Sequence, residues 1–445
     1  MLSLNFLAFR ACLTYNQLMD DISMRDMSVA ADEQPDRGSR IFIARQPIFR
    51  RNGKVFGYEL LFRSGLDNFF NETQNGEQAT SRVITNTFSL IGISKITEGK
   101  KAFINFTGDM LVKEYPSLFP PRITVAEVLE NVKVTPAVIQ ACRNLVAKGY
   151  LLALDDFIFS EELLPLVEIA HIIKFDVRAM TMEELSRDLK KLAPYNAKLL
   201  AEKVETIEEF DAFKDMGFTF FQGYFFSKPK IVQGRDIPGS KLQYLKIIRV
   251  LQDENYNFNK VTQFIAQDVS LSYKLLRYVN SAAMRRRVEV TSMQSAVALV
   301  GELTLRKWLT LMMLSYMAND KPMELLRLTL LRARFCELVG EKMDKGREFT
   351  LTCYTVGLFS LLDVLLDQPM EKVLRQLSLS REIVATLTGE ETTQYAAILK
   401  LVKTYERGEW LEVTRLASNV KDVFDDLPLF YENALDDMRN FYAAV

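Results

Sequence analysis

Between Ile41 and Phe226, short runs rich in β-branched and aromatic residues alternate with amphipathic stretches of helical periodicity. Strands that alternate with helices are typical of a parallel sheet wrapped by helices, and about eight of them predict a (β/α)8 barrel. The predicted strands are Ile41–Phe49, Val55–Arg63, Lys101–Thr107, Ile123–Glu130, Tyr150–Phe157, Ile172–Val177, Lys198–Lys203 and Phe218–Phe226. Only Arg50–Lys54, which contains an Asn-Gly pair, separates the first two strands. We therefore expect a hairpin there and one antiparallel strand in the barrel.

The pattern changes in a segment rich in proline and glycine, residues 228–239, beyond which leucine-rich helical periodicity replaces the strands. This change predicts a barrel domain over residues 40–235 and an all-helical domain of about ten helices over residues 236–445. Within the second domain we expect breaks at Asn319–Pro322, at Gln368-Pro369 and at Gly389. Residues 1–39 are predicted to be a disordered N-terminal extension. The expected fold class is therefore α/β plus all-α.

The inventory of charged and metal-binding side chains excludes several classes of function. Lys and Arg number 56 against 57 Asp and Glu, so no strong field favours nucleic acid or an anionic membrane as a partner. His171 is the only histidine, and the four scattered cysteines form no CxxC pair, which argues against a zinc ribbon and a disulfide scaffold. Apolar runs of about 18 residues, the length that suggests a membrane span, are absent from the sequence. These features indicate a cytoplasmic protein.

Polar side chains fall near the carboxyl ends of most predicted strands, the end at which barrel enzymes build their sites. They are Glu59, Asn105, Glu127, Asp155, Asp156 and Glu202. Converging oxygen ligands in apolar strands favour a hard divalent ion such as Mg²⁺ or Mn²⁺, because a lone buried carboxylate is unfavourable. Lys174 is the one cation in the set and could orient a water or neutralise a phosphate. For each residue taken alone, a solvated charge at a strand end is an equally good interpretation.

The order and the amino-acid sequences of these segments resemble those of the EAL phosphodiesterase family from about Ile41 to Pro229. The resemblance rests on Ala44-Arg45-Gln46-Pro47-Ile48, Glu59-Leu60-Leu61-Phe62-Arg63, Asn105 in Phe-Ile-Asn-Phe, Glu127 and Glu130 in Glu-Val-Leu-Glu, Asp155-Asp156-Phe157, Lys174 with Asp176, Glu202-Lys203-Val204-Glu205-Thr206, and Gln222-Gly223-Tyr224-Phe225-Phe226. Leu60 replaces the alanine that gives the family its name.

The resemblance implies a modified (β/α)8 barrel that binds cyclic di-GMP and, in active members, hydrolyses it to linear pGpG with two divalent metals. It implies that Glu59, Asn105, Glu127 and Asp155 hold one metal and that Asp155, Asp156 and Glu202 hold the second. Lys174 and Glu202 would be catalytic and would position or deprotonate the attacking water. Gln46, Arg63 and Gln222 would contact the ligand, while Glu130, Asp176 and Glu205 would support the metal ligands from behind.

Two departures from the family pattern leave catalysis open. The loop after Asp156 runs Ile158-Phe159-Ser160 and has no glycine, and Lys203 replaces the glycine that usually follows the later glutamate. If Lys203 turns toward the mouth, its charge would weaken the second metal site, whereas on the opposite face of the strand it would have little effect. One hypothesis is therefore an active cyclic di-GMP phosphodiesterase. The other is a catalytically inactive receptor or scaffold.

The helical half resembles the HDOD family over about Gly239 to Trp410, most clearly in Ile265–Ala282 and in Leu299-Val300-Gly301. That family is related to metal-dependent HD phosphohydrolases, whose His-Asp metal doublet corresponds here to Ser360-Leu361. Ser and Leu cannot replace those ligands, and residues 240–445 contain no histidine. The resemblance therefore implies a regulatory or interaction module with an unidentified protein partner.

Overall fold

A computed structural model describes residues 41–64, 92–228, 237–253, 257–281, 290–390, 393–420 and 423–444. The predicted N-terminal extension and the predicted domain boundary near residue 235 lie outside these ranges. For Arg63 the backbone is described and the side chain is not.

Eight strands form a closed barrel in sequence order, as predicted. They are β1 (Ile41–Arg50), β2 (Val55–Ser64), β3 (Lys101–Phe106), β4 (Thr124–Val128), β5 (Leu151–Leu154), β6 (Ile172–Asp176), β7 (Lys198–Glu202) and β8 (Phe220–Gln222). The expected hairpin is confirmed, because β1 runs antiparallel to both β2 and β8 while the other neighbours are parallel. The last strand is shorter than predicted, since Phe225–Ser227 form a 3-10 turn.

Four of the six described helices around the barrel begin at threonine caps that the sequence supplies. The six helices are α1 (Ile93–Ile96), α2 (Gly108–Val112), α3 (Pro136–Ala147), α4 (Leu164–Val167), α5 (Met182–Leu192) and α6 (Ile207–Asp215). The hydroxyls of Thr107, Thr135, Thr181 and Thr206 each accept a backbone N–H in the first turn of the helix that follows. Each cap satisfies an N–H that has no partner within its helix, so the helix starts are fixed locally.

A layer of apolar side chains fills the barrel interior and sets the height of the polar residues. Its buried members are Ile48, Phe103, Val125, Ala153, Ile172, Leu200 and Phe220. Side chains two positions apart on a strand point to the same face, so the next inward positions on the parallel strands lie one layer closer to their carboxyl ends. Asn105, Glu127, Asp155, Lys174, Glu202 and Gln222 occupy those positions. The polar layer therefore lies directly above the apolar one.

The second domain consists of twelve helices in the part of the chain that the structure describes. They are α7 (Gly239–Gln252), α8 (Phe258–Gln267), α9 (Val269–Val279), α10 (Met293–Met317), α11 (Met323–Lys342), α12 (Arg347–Phe359), α13 (Leu362–Leu366), α14 (Met370–Leu374), α15 (Arg381–Thr388), α16 (Gln394–Glu406), α17 (Trp410–Ala417) and α18 (Leu427–Ala444). The predicted breaks are confirmed, with Pro322 before α11, Pro369 before α14 and a left-handed Gly389 after α15. Among the described helices none is long and apolar enough to cross a membrane.

The helical domain packs on the β1–β2 hairpin. A hairpin places no crossover helix between its two strands, and α16 and α18 contact β1. Phe42 of β1 lies against the rings of Phe424, Trp410 and Tyr405, with centroid distances of 4.7, 6.0 and 6.3 Å. This aromatic cluster joins the apolar cores of the two domains.

Candidate functional site

Lys174 lies at the centre of the polar layer at the carboxyl ends of the strands. Its ammonium nitrogen is 2.6 Å from Asp155, 2.7 Å from Glu127, 3.0 Å from Glu202 and 3.5 Å from Glu59. Four of these five residues lie on different strands, and Asp155 directly follows a fifth strand, β5. Closure of the barrel brings the ends of these strands together. The predicted convergence of Glu59, Glu127, Asp155, Lys174 and Glu202 is therefore present in the structure.

The cluster holds more acid than its lysine can neutralise. Burial lowers the pKa of Lys174, but attraction to Glu127 and Glu202 outweighs burial and leaves the pKa well above its usual value. Burial raises the pKa of both Glu127 and Glu202, and Lys174 opposes that rise only in part. One ammonium cannot neutralise four carboxyl groups in a buried setting, so the remaining carboxyl groups must bind either protons or a further cation.

The donor set fits a hard divalent cation. Oxygens of Asp155, Asp156 and Glu202 lie within 4.8 Å of one another, the arrangement expected for one metal. Buried oxygens of Asn105 and Glu202 accept no hydrogen bond from any described residue. Carboxylate and amide oxygens are the ligands that Mg²⁺ and Mn²⁺ prefer, so unsatisfied oxygens in this cluster suit such an ion.

Asp155 and Asp156 both reach the mouth because β5 ends at Leu154. Adjacent residues on a continuing strand would point to opposite faces. Asp156 instead has a positive φ of 38°, so the backbone turns there, outside the regular strand. The expectation that the doublet depends on the end of the strand is thus consistent with the observed backbone.

A chain of amide side chains holds Glu59. Gln222 donates to Glu59 at 2.6 Å and to Gln46 at 3.0 Å, and Asn105 donates to the other oxygen of Glu59 at 3.3 Å. Burial raises the pKa of Glu59, but Lys174 and these hydrogen bonds lower it more, so the carboxylate form is favoured. Gln46 and Gln222, predicted as ligand contacts, therefore lie beside the predicted metal ligands.

The three residues predicted to support the metal ligands have different surroundings. Asp176 accepts the N–H groups of Arg178 and Ala179 at the end of β6. Glu205 is half exposed and pairs with Lys228 at 2.5 Å, which makes it a surface contact. Glu130 lies exposed in the turn after β4.

Lys203 turns toward the mouth of the barrel. It has a left-handed backbone with φ of 57°, and its ammonium pairs with Asp176. Burial lowers the pKa of Lys203, but the nearby carboxylates of Asp176, Asp156 and Glu202 raise it by more, so the pKa lies above its usual value. The positive charge of Lys203 therefore interacts with two of the predicted metal ligands, Asp156 and Glu202. This matches the first of the two orientations that the sequence left open, in which Lys203 turns toward the mouth.

The loop after Asp156 is fastened to α5. The N–H of Phe159 donates to the buried Asp188 at 3.4 Å, and the Lys191 ammonium lies 4.2 Å from the centre of the Phe159 ring. Ile158 is 68% exposed. A loop held at its centre in this way has less freedom than one built on glycine.

In the helical domain, a buried guanidinium pairs with Ser360 and with a glutamate. Arg332 donates to Ser360 at 3.0 Å and to both oxygens of Glu406 at 2.7 and 3.1 Å. All three residues are buried. Arg332 is 28 positions from Ser360 and 74 positions from Glu406, so no local sequence pattern could predict these contacts.

Sequence reasoning also missed a contact from the helical domain to the barrel mouth. The main-chain carbonyl of Arg407 accepts a hydrogen bond from Gln46 at 3.2 Å, and the Arg407 guanidinium lies 5.3 Å from the ring centre of Tyr224. The donor and acceptor are 361 residues apart, so no spacing rule could connect them.

Comparison with known proteins identifies both domains. The sequence profile of the EAL domain matches residues 83–229, and that of the HDOD domain matches residues 237–389. YuxH of Bacillus subtilis, an uncharacterized protein, is 36% identical over 86% of this chain and 94% of its own length. CdgJ of Vibrio cholerae, a cyclic di-GMP phosphodiesterase, is 35% identical over 87% of this chain and 90% of its own length. Among solved structures, BlrP1 of Klebsiella pneumoniae is 21% identical with a TM-score of 0.36, over 45% of this chain and 58% of that one.

The two relatives match across most of this chain, and the profiles follow one another in the order seen in the structure. The closed barrel and the helical domain have the architecture that the sequence predicts. The chain belongs to the family of two-domain proteins in which an EAL domain is followed by an HDOD domain.

Proposed function

We propose that the barrel binds cyclic di-GMP and hydrolyses it to linear pGpG with Mg²⁺ or Mn²⁺. The observation that carries this proposal is the convergence of Lys174 with four carboxylates at one end of a closed barrel. A relative at 35% identity that is named as a cyclic di-GMP phosphodiesterase supports the choice of substrate. An acidic site that binds divalent cations is suited to a phosphodiester, whose own charge the cations neutralise.

Glu59, Asn105, Glu127 and Asp155 would hold one ion, and Asp155, Asp156 and Glu202 would hold a second. When bound, such ions lower the pKa of water and stabilise negative charge on the phosphodiester. Asn105 contributes an amide oxygen, and its N–H is already committed to Glu59 at 3.3 Å. The amide therefore presents its oxygen to a cation while its nitrogen orients a neighbouring ligand.

The remaining side chains act on water and on the nucleotide. Lys174, held by four carboxylates, would orient the attacking water and balance charge on the phosphate. Glu202, whose pKa burial raises, would accept a proton from that water. Gln46, Arg63 and Gln222 would contact the nucleotide.

The supporting roles differ with position. Asp176 would hold Lys203 beside the metal ligands, as their ion pair indicates. Glu130 and Glu205 would act from the surface of the neighbouring loops, where both are exposed.

The helical domain would act as a regulatory or interaction module with an unidentified protein partner. Arg332 forms an ion pair with Glu406 in its interior and donates a hydrogen bond to Ser360, the position at which the resemblance to HD phosphohydrolases would put a metal ligand. We assign it no metal, and we expect neither nucleic acid nor a membrane as a partner of the chain. The described cysteines are buried free thiols, which supports a reducing cytoplasm.

Specific observations also favour a second function, that of a catalytically inactive cyclic di-GMP receptor or scaffold. Lys203 brings positive charge to Asp156 and Glu202. The loop that carries Phe159 is tied to Asp188. Both features would weaken the placement of the second metal without removing the nucleotide contacts.

The deciding experiment is incubation of the purified chain with cyclic di-GMP and either Mg²⁺ or Mn²⁺, followed by chromatography for pGpG. Metal-dependent formation of pGpG supports the enzyme. Tight binding in calorimetry without turnover supports the receptor. A chain that neither turns over nor binds cyclic di-GMP would contradict the enzyme and the receptor and would leave a scaffold that acts through protein contacts.

A further inference from the structure

The turn between α16 and α17 reaches the mouth of the barrel. It contains Arg407, Gly408 and Glu409, and we call it the docking turn. Gln46 donates its amide N–H to the Arg407 carbonyl at 3.2 Å. Gly408 lies so close to β2 that a Cβ atom there would meet Leu61 at 2.5 Å. The docking turn thus contacts both strands of the β1–β2 hairpin.

Two features hold the docking turn in one place. Its first residue, Arg407, directly follows Glu406. The buried Arg332 donates hydrogen bonds to both carboxylate oxygens of Glu406. Bidentate pairs of this kind fix geometry as well as charge, so the end of α16 is fixed relative to α11. Gly408 has a φ of 68°, a backbone conformation that residues with a Cβ atom rarely adopt. Contacts within the protein therefore fix the end of α16 and the docking turn.

From the docking turn, hydrogen bonds run without interruption to a predicted metal ligand. Gln46, whose N–H binds the Arg407 carbonyl, accepts a hydrogen bond from Gln222 at 3.0 Å. Gln222 in turn donates to Glu59 at 2.6 Å. Since the amide of Gln46 is used at both ends, its orientation depends on the carbonyl of the helical domain as well as on the barrel.

We infer that the docking turn positions Gln46 for nucleotide binding, so that the helical domain sets the affinity of the barrel for the cyclic dinucleotide. This inference rests on the proposed function and adds its mode of regulation. Arg332 and Glu406 are positioning residues, because they act through the end of α16 without touching the nucleotide. Coupling passes from one domain to the other through a rigid turn and three amide or carbonyl groups.

The test uses the full chain and measures the dissociation constant of cyclic di-GMP by calorimetry. Gly408→Ala places a Cβ atom at a positive φ and against Leu61, so the docking turn or Leu61 must shift, and we expect binding to weaken about fivefold or more. The matched control is Gly389→Ala, which also places alanine at a positive φ, here 96°, with no atom within 4 Å of the new Cβ. It should lose a similar amount of stability and keep wild-type affinity.

A second variant tests the inference independently in case Gly408→Ala does not fold. Arg332→Met combined with Glu406→Leu removes the buried pair as a unit, a change that proteins often tolerate without loss of stability. It should also weaken binding severalfold while the melting temperature stays close to that of the wild type. Wild-type or tighter binding in folded Gly408→Ala and in the double variant would overturn the inference and leave the proposed function intact. A wild-type chain that binds no cyclic di-GMP would overturn both.

Discussion

The ammonium nitrogen of Lys174 lies 2.7 Å from a carboxylate oxygen of Glu127, and neither side chain is exposed to solvent. Three further carboxylates surround the same ammonium, from Glu59, Asp155 and Glu202. Removal of the lysine would leave buried charges without a partner, which is strongly unfavourable. The cluster therefore belongs to the architecture of the barrel as well as to its proposed chemistry.

Asp155→Asn should abolish metal-dependent hydrolysis, because Asp155 is assigned to both metals. We expect pGpG formation to fall by about 100-fold or more in a chromatographic assay. Divalent metal should raise the melting temperature of the wild type and leave that of the variant nearly unchanged. Glu114→Gln is the control, since Glu114 pairs with Lys148 at the surface. Full activity of Asp155→Asn would contradict the metal assignment.

Lys203→Asn should strengthen metal binding, because it removes a positive charge near Asp156 and Glu202. Asn tolerates the left-handed backbone that Lys203 adopts, so the turn is preserved. Lys203 is more than half exposed, and an exposed charge of this kind contributes at most about 1 kcal/mol, or about fivefold in affinity. Lys203→Arg keeps the charge and serves as the control. An unchanged Mg²⁺ or Mn²⁺ requirement in the Asn variant would show that Lys203 does not limit the second site.

Phe42→Ala should destabilise the whole chain. Phe42 is only 2% exposed, and its ring contacts Tyr405, Trp410 and Phe424 of the helical domain. Truncation of a buried phenylalanine costs about 3–5 kcal/mol in the free energy of unfolding, measurable by urea denaturation. Val269→Ala, at a position that is 83% exposed, should change it by less than about 0.5 kcal/mol. A Phe42 variant as stable as this control would mean that the two domains do not share a core.

The stability of the chain should depend on pH through Lys403. Burial and the neighbouring Arg332 lower the pKa of Lys403 from 10.5 to about 8, while Glu406, Asp363 and Cys336 oppose the shift. Below about pH 8 the lysine is charged in both states, and the folded state bears the full penalty of burying that charge. Between about pH 8 and 10.5 the unfolded chain binds more protons, so this contribution to the free energy of unfolding rises with pH.

Lys403→Met should therefore be more stable than the wild type at pH 7, and its advantage should shrink by pH 10. Urea denaturation at the two pH values measures the difference, with the surface variant Lys345→Met as the control. An advantage for Lys403→Met that stays constant across this range would contradict the lowered pKa.

Local pattern was enough to predict the barrel and the polar layer. Side-chain alternation has a period of two in any strand, so Asn105, Glu127, Lys174 and Glu202 had to share a face with the apolar residues two positions before them. Threonine caps and the Asn-Gly hairpin likewise act over a few residues. Two five-residue helices, α13 and α14, are too short to carry a periodic signal, which explains why twelve described helices stand against about ten predicted.

The tertiary structure alone decided which groups meet across long separations. Lys203 obeys no strand alternation because its backbone turns to a positive φ after β7 ends, and Asp176, 27 positions earlier, then captures its ammonium. The pairing of Arg332 with Glu406 and the contact of Gln46 with Arg407 depend on how α11 and α16 pack against each other and against the barrel. The periodicity of a sequence predicts which face of a helix or strand is buried. It does not predict which residues of other elements pack against that face, because those contacts form only when the elements assemble into one core.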